Sequence, residues 1–162
     1  ADRQILSFAH QAQLNIEELD QSLSIKRSAV KPFEVDATDC PDLFPPLTAL
    51  AVFAEGTSRI KGVNRLTHKE SNRGLALVQE FSKLGATLEI ENDDLVIRGQ
   101  DQLSGGQVSS HHDHRIAMAL AIAGLRAVNP VVIENAEAVG KSYPSFFSHL
   151  QSLGASVSLS SH

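Results

Sequence analysis

A chain of 162 residues with 42% hydrophobic and 20% charged residues has the make-up of one ordinary globular domain with its own core. A net charge of −5 argues against a general nucleic-acid binder, so any anion site must be a local concentration of positive charge. The longest apolar runs, such as residues 117–125, are too short to cross a bilayer, and a single cysteine excludes an internal disulfide framework. That residue, Cys40, follows Asp39 with no cation beside it, which reads as a buried, idle thiol in a reducing, cytoplasmic setting. The chain starts at Ala1, with neither methionine nor a visible signal peptide, as a processed or excised piece would.

In chain order, residues 1–28 read as a partial unit whose Leu23 and Ile25 resemble a closing strand. A helix then starts after Asp42, with Pro45 and Pro46 in its first turn, Leu47, Leu50, Ala51 and Ala54 on one face, and Gly56 as the stop. A short strand is expected over 58–61. Residues 71–84 form the next helix, with Leu77, Phe81 and Leu84 on one face and Gly85 at the end. Strands over 87–90 and 95–97 flank the turn Glu91-Asn92-Asp93-Asp94. After a loop at Ser104-Gly105-Gly106 the order recurs. A helix follows Asp113, with Ile116, Ala119, Leu120 and Ala123 as its face. A strand is expected over 131–133, and a helix over 144–153 ends at Gly154, with strands after it.

The recurrence is an internal repeat of roughly 70 residues. Ala49-Leu50-Ala51-Val52-Phe53-Ala54 matches Ala119-Leu120-Ala121-Ile122-Ala123-Gly124, and Leu84-Gly85-Ala86-Thr87-Leu88 matches Leu153-Gly154-Ala155-Ser156-Val157. Lys69 falls opposite Lys141, and Asp42 near Asp113. Each unit reads as βαβαββ. Its first helix is apolar all round, which demands burial on nearly every side.

The charged residues gather where loops enter helices. Lys69-Glu70-Ser71-Asn72-Arg73, Asp113-His114-Arg115 and Lys141-Ser142 all stand at such places. Helix starts carry unpaired N–H groups and positive partial charge, so they suit anions. Arginines and lysines added there fit a carboxylate and a phosphate, and Glu70, His114 and Asp42 add groups able to move protons. His111, His112 and His114 lack a carboxylate or cysteine at a recognised metal-ligand spacing, so neither metal nor cofactor is expected.

Four segments carry a family resemblance: Asp42-Leu43-Phe44-Pro45, Lys69-Glu70-Ser71-Asn72-Arg73, Asp113-His114-Arg115-Ile116-Ala117-Met118 and Lys141-Ser142-Tyr143-Pro144-Ser145-Phe146-Phe147. In order and spacing they resemble the C-terminal half of the 5-enolpyruvylshikimate-3-phosphate synthase family. The resemblance covers residues 36–157. It implies an α/β fold of the enolpyruvyl transferase type, with pseudo-threefold βαβαββ repeats, helices inside and sheets outside. Residues 1–162 would be a single domain, most of the C-terminal domain of a two-domain enzyme whose N-terminal domain is absent here.

The reaction so implied is transfer of the enolpyruvyl group of phosphoenolpyruvate to the 5-hydroxyl of shikimate 3-phosphate. By resemblance, Asp42 contacts the shikimate hydroxyls and is the candidate base. Lys69 touches the reacting hydroxyl and phosphate, and Glu70 handles the proton on the methylene carbon. Arg73 and Arg115 clamp the phosphoenolpyruvate carboxylate, which suits planar guanidinium groups. His114 is a hydrogen-bond partner beside Glu70 or the phosphate, and Lys141 binds phosphate or carboxylate. Arg65 replaces an asparagine of some relatives and is left outside the site. The partners implied are the two substrates and the missing domain, with no nucleic acid and no membrane. Two other readings stand beside this one: a UDP-N-acetylglucosamine enolpyruvyl transferase piece, and a non-catalytic anion-binding module. The first and second readings require Asp42, Glu70, Arg73, Arg115 and Lys141 to cluster at one open end, side chains toward solvent.

Overall fold

The computed structural model describes residues 3–67 and 72–159. It opens with helix α1 (Gln4–Gln11) and an antiparallel hairpin of β1 (Asn15–Glu18) and β2 (Leu23–Lys26). A complete βαβαββ unit follows: β3 (Glu34–Asp36), α2 (Phe44–Ala51), β4 (Thr57–Lys61), α3 (Arg73–Lys83), β5 (Thr87–Glu91) and β6 (Asp94–Arg98). The second unit contains β7 (Gly106–Ser109), α4 (His114–Gly124), β8 (Val131–Glu134) and α5 (Phe146–Ser152). Short 3-10 segments, Pro41–Leu43, Val63–Leu66 and Ala136–Lys141, precede α2, α3 and α5.

In the first unit the sheet order is β3-β4-β6-β5, with β3 and β4 parallel and the other pairs antiparallel. In the second, β7 and β8 pair in parallel as β3 and β4 do. Both parallel pairs are joined by a helix, as parallel pairing requires. Helices α2 and α4 pack on each other, and α3 packs on α4 and β5. The inner faces contribute Phe44, Leu47, Ile60, Leu77, Phe81, Leu95, Ile97, Ile116 and Leu120, all buried. The outer sheet face carries ion pairs such as Arg59–Glu91 and Arg98–Glu89. Helices therefore lie inside and sheets outside.

Apolar character all round predicts the burial of α2 well and that of α4 less well. Ile122 and Leu125, in and just after α4, remain exposed along a groove of about 540 Å³ between the two helices.

The repeat extends to individual hydrogen bonds. Helix α3 ends with Gly85 at φ 88°, Gly85 N–H donating to Ser82 O and Ala86 N–H to Phe81 O. Helix α5 ends in the same way, with Gly154 at φ 96° donating to Gln151 O and Ala155 to Leu150 O. Helix α1 does so with Gln13 at φ 56°, donating to His10 O while Leu14 donates to Ala9 O. All three are Schellman ends, in which one left-handed residue satisfies two orphan carbonyls. The α1–β1–β2 segment is thus the closing part of a unit like the one that ends at β6. The strands expected beyond Gly154 do not form over 155–159, because among the described residues no second strand lies there to pair with them.

Candidate active site

Three helix starts converge. The 3-10 turn Pro41–Leu43 carries Asp42 into α2, Arg73 is the first residue of α3, and Asp113 caps α4 ahead of His114 and Arg115. Asp113 accepts the Arg115 N–H at 2.9 Å, and Asn72 accepts the Leu75 N–H at 3.3 Å. These side-chain oxygens replace carbonyl partners that the first turn lacks, and they fix the entry angle of each helix.

Arg73 joins the three. Its Nε donates to Asp113 Oδ2 at 2.7 Å and its Nη1 to Asp42 Oδ1 at 2.7 Å. Asp42 reaches Arg115 with its other oxygen, 3.2 Å from Nη2. The chain of charges runs outward: Asp113 at 0% exposure, Arg73 at 3%, then Arg115 at 33% and Asp42 at 35%. Burial alone pushes the Arg73 guanidinium toward losing its proton. The hydrogen bonds and charges of Asp113 and Asp42 outweigh it and hold the group above its ordinary value, firmly cationic. Lys141, exposed at the end of its 3-10 segment, donates from Nζ to the His112 carbonyl at 2.9 Å, one residue before Asp113. Among the described residues, three cations and two carboxylates meet at the mouth of α4, a local concentration of charge on a chain that is acidic as a whole.

The structure thus unites Asp42, Arg73, Arg115 and Lys141 and places His114, half-buried, in the first turn of α4 among them. Lys69 and Glu70 lie outside the described residues. Arg73 corrects an expectation: its side chain is buried rather than turned to solvent, because two carboxylates hold it. The pairing of Asp42 with Asp113 across the repeat is also displaced. Ala37 N–H bonds Lys61 O and Cys40 N–H bonds Ala37 O, as Ser110 N–H bonds Glu134 O and Asp113 N–H bonds Ser110 O. By that register Asp113 stands where Cys40 does, and Arg115 stands where Asp42 does.

Sequence reasoning missed Asp113 as the anchor of Arg73, treating it only as a helix-start acid. It also missed Glu80, a carboxylate at 1% exposure on α3 that pairs with Lys83 and His111. A signal was present, since Glu80 lies seven residues after Arg73 and therefore on the same helical face. Among the described residues no group of three or more His, Cys, Asp or Glu is arranged to hold a metal ion.

An inside-out α/β repeat whose helix starts present guanidinium, lysine and carboxylate groups defines the enolpyruvyl transferase class of fold. The family model for EPSP synthase (3-phosphoshikimate 1-carboxyvinyltransferase) matches residues 1–150, and the chain belongs to that family. It is 46% identical over 138 residues to the 3-phosphoshikimate 1-carboxyvinyltransferase of Clostridium acetobutylicum, covering 85% of this chain and 32% of that protein. It is 41% identical over 156 residues to the one from Clostridium kluyveri, covering 96% of this chain and 37% of the relative. A solved EPSP synthase from Acinetobacter baumannii superposes with a TM-score of 0.81 at 27% identity, over 91% of this chain and 38% of that one. The chain spans about a third of the length of the relatives it matches.

Proposed function

We propose that this chain forms one wall of the active site of a 3-phosphoshikimate 1-carboxyvinyltransferase, an enzyme of the shikimate route to aromatic amino acids. It would supply most of the C-terminal domain of a two-domain cytoplasmic enzyme, the other domain closing the cleft. The observation that carries the reading is Asp42 bridging a buried Arg73 and a half-exposed Arg115 at the mouth of α4. Membership of the family supplies the substrates, phosphoenolpyruvate and shikimate 3-phosphate.

In the reaction the 5-hydroxyl loses its proton and its oxygen bonds to the central carbon of phosphoenolpyruvate, while the methylene carbon gains a proton. The adduct then breaks its bond to phosphate and sheds a methyl proton, which restores the double bond. Arg115 can turn from Asp42 to the incoming carboxylate, a two-pronged match. The Oδ2 oxygen of Asp42 then turns to the shikimate hydroxyls and draws off the reacting proton, while Oδ1 stays with Arg73. Arg73, with Nε and Nη1 engaged by carboxylates, supports that exchange with fixed positive charge from beneath. Lys141 serves the phosphate. Lys69 and Glu70 keep the roles given by the family resemblance, as does His114.

The test is phosphate release by the full-length parent enzyme. Release that requires shikimate 3-phosphate supports the reading. Release with UDP-N-acetylglucosamine instead would assign the chain to the related transferase. No release with either acceptor, with phosphate still bound, would leave the anion-binding module as the function.

A further inference from the structure

The loop between β7 and α4 is strained, and its counterpart between β3 and α2 is not. His111 and His112 are both left-handed, at φ 53° and 57°, whereas no residue of the segment 37–40 has a positive φ. Side chains other than glycine enter that region against a steric cost between Cβ and the following carbonyl oxygen. Such outliers persist only where neighbouring groups hold them. In the first unit Gly62 lets the loop approach closely, since a Cβ there would lie 2.7 Å from the Thr38 backbone. In the second, Asn135 fills that place, and its amide donates to Ser109 Oγ at 3.3 Å.

The holding group for residues 109–113 comes from α3. Glu80 accepts the Ser109 N–H at 2.8 Å and contacts His111 Nε2 at 2.8 Å, while Lys83 Nζ bonds both of its oxygens at 2.9 Å. Burial pushes this carboxyl up, yet these hydrogen bonds outweigh it and hold Glu80 below the usual carboxylate range, as an anion. Arg73, two helical turns earlier on the same face, grips Asp113 at the far end of the loop. Helix α3 therefore clamps the loop at two points about 10 Å apart along its axis. The residues that follow the clamped loop directly are His114 and Arg115.

We propose that Glu80 and His111 are a positioning pair: they hold the loop before α4 in its left-handed path and so set where Arg115 meets the carboxylate of phosphoenolpyruvate. The proposal rests on the transferase reading above. Neither residue touches the substrate in this scheme, and both act through Arg115.

The test uses the full-length enzyme, wild type and the variants His111→Ala, His111→Gln and Glu80→Gln. In His111→Ala the buried carboxylate keeps Lys83 and Ser109 as partners, so the fold survives. The KM for phosphoenolpyruvate is expected to rise about tenfold or more, as misplacement of a binding group by a fraction of an ångström does. The KM for shikimate 3-phosphate should stay within about twofold of wild type over the same assays. His111→Gln restores a donor at the same reach and should recover most of the loss; Gln13 shows that glutamine accepts the left-handed conformation in this chain. Amide exchange at Ser109 through Arg115 should quicken in His111→Ala and Glu80→Gln and recover in His111→Gln. Unchanged exchange overturns the pair's role, and so does an equal rise in both KM values. A wild-type enzyme with no phosphate release overturns the transferase reading instead, an outcome visible before any variant is assayed.

Discussion

Residues 34–61 and 107–134 share a strand–helix–strand order and the hydrogen bonds that lead into each helix, and differ in what they carry at matching places. Cys40 of the first unit stands where Asp113 does in the second, and Asp42 where Arg115 does. The first pair differs in burial chemistry: a buried thiol against a carboxylate that anchors a buried guanidinium. The second pair is a carboxylate and a guanidinium that contact each other at 3.2 Å. A repeat brings equivalent positions together around its axis. Opposite charges at those positions then turn a symmetrical fold into an asymmetric site. The backbone supplies convergence, and substitution within the repeat supplies the chemistry.

The sharpest way to break this comparison is to exchange the anchors. Asp113→Ala removes a partner of the buried Arg73 and should destabilise by about 3–5 kcal/mol, with about 1 kcal/mol more for the lost helix cap. Cys40→Ala at the matching position should cost only about 1 kcal/mol. Urea unfolding of the two variants measures the gap, and equal losses would show that Asp113 is no anchor.

The outer pair comes next. In the full-length enzyme Arg115→Ala should weaken phosphoenolpyruvate binding by about 1.5–3 kcal/mol, the worth of a charge-assisted hydrogen bond. Asp42→Asn keeps the shape but loses the proton acceptor, and should lower turnover about 10²–10⁴-fold with a smaller effect on that affinity. Steady-state kinetics separates the two. Affinity loss of the same size in both variants would deny them distinct roles.

A smaller contrast lies at the helix ends. Gly85 and Gly154 are both left-handed, yet a Cβ on Gly85 would stand 2.6 Å from Ser104 Oγ, while one on Gly154 would meet nothing within 4 Å among the described residues. Gly154→Ala should therefore cost about 1–2 kcal/mol from backbone strain alone. Gly85→Ala should cost more, because Ser104 must also move. Thermal unfolding of both variants checks the order, and a costlier Gly154→Ala would contradict it.

The smallest expected effect concerns acid. Asp36 and Ser109 occupy matching places, each accepting the N–H two residues on. The Thr38 hydroxyl, the Thr38 N–H and Lys61 hold the Asp36 carboxyl at about 2, below its ordinary value. A depressed carboxylate contributes stability in full above its unfolded pKa and loses it as pH falls through the folded one. That contribution should therefore fade between about pH 4 and pH 2, and Asp36→Ser should flatten the acid limb there. An unchanged pH profile in the variant would show that the bond adds nothing.

Much of this architecture was legible in the chain. Leu-Gly-Ala at residues 84–86 and 153–155 marked two helix ends through the need for a left-handed residue. The turn at Glu91-Asn92-Asp93-Asp94 marked the hairpin. The helix ends and the turn follow from local rules, because caps, turns and periodicity act over a few residues. The grouping of Asp42, Glu70, Arg73, Arg115 and Lys141 comes instead from the repeat offset and the family resemblance, and Glu70 lies outside the described residues. Four features had no local signature: the burial of Arg73, its anchor Asp113, the Glu80–His111 contact, and the register that sets Arg115 opposite Asp42. Each depends on distance between residues some thirty to seventy positions apart in sequence. Only packing α3 against the loop before α4 brings those charges close enough, and far enough from water, for one guanidinium to need two carboxylates.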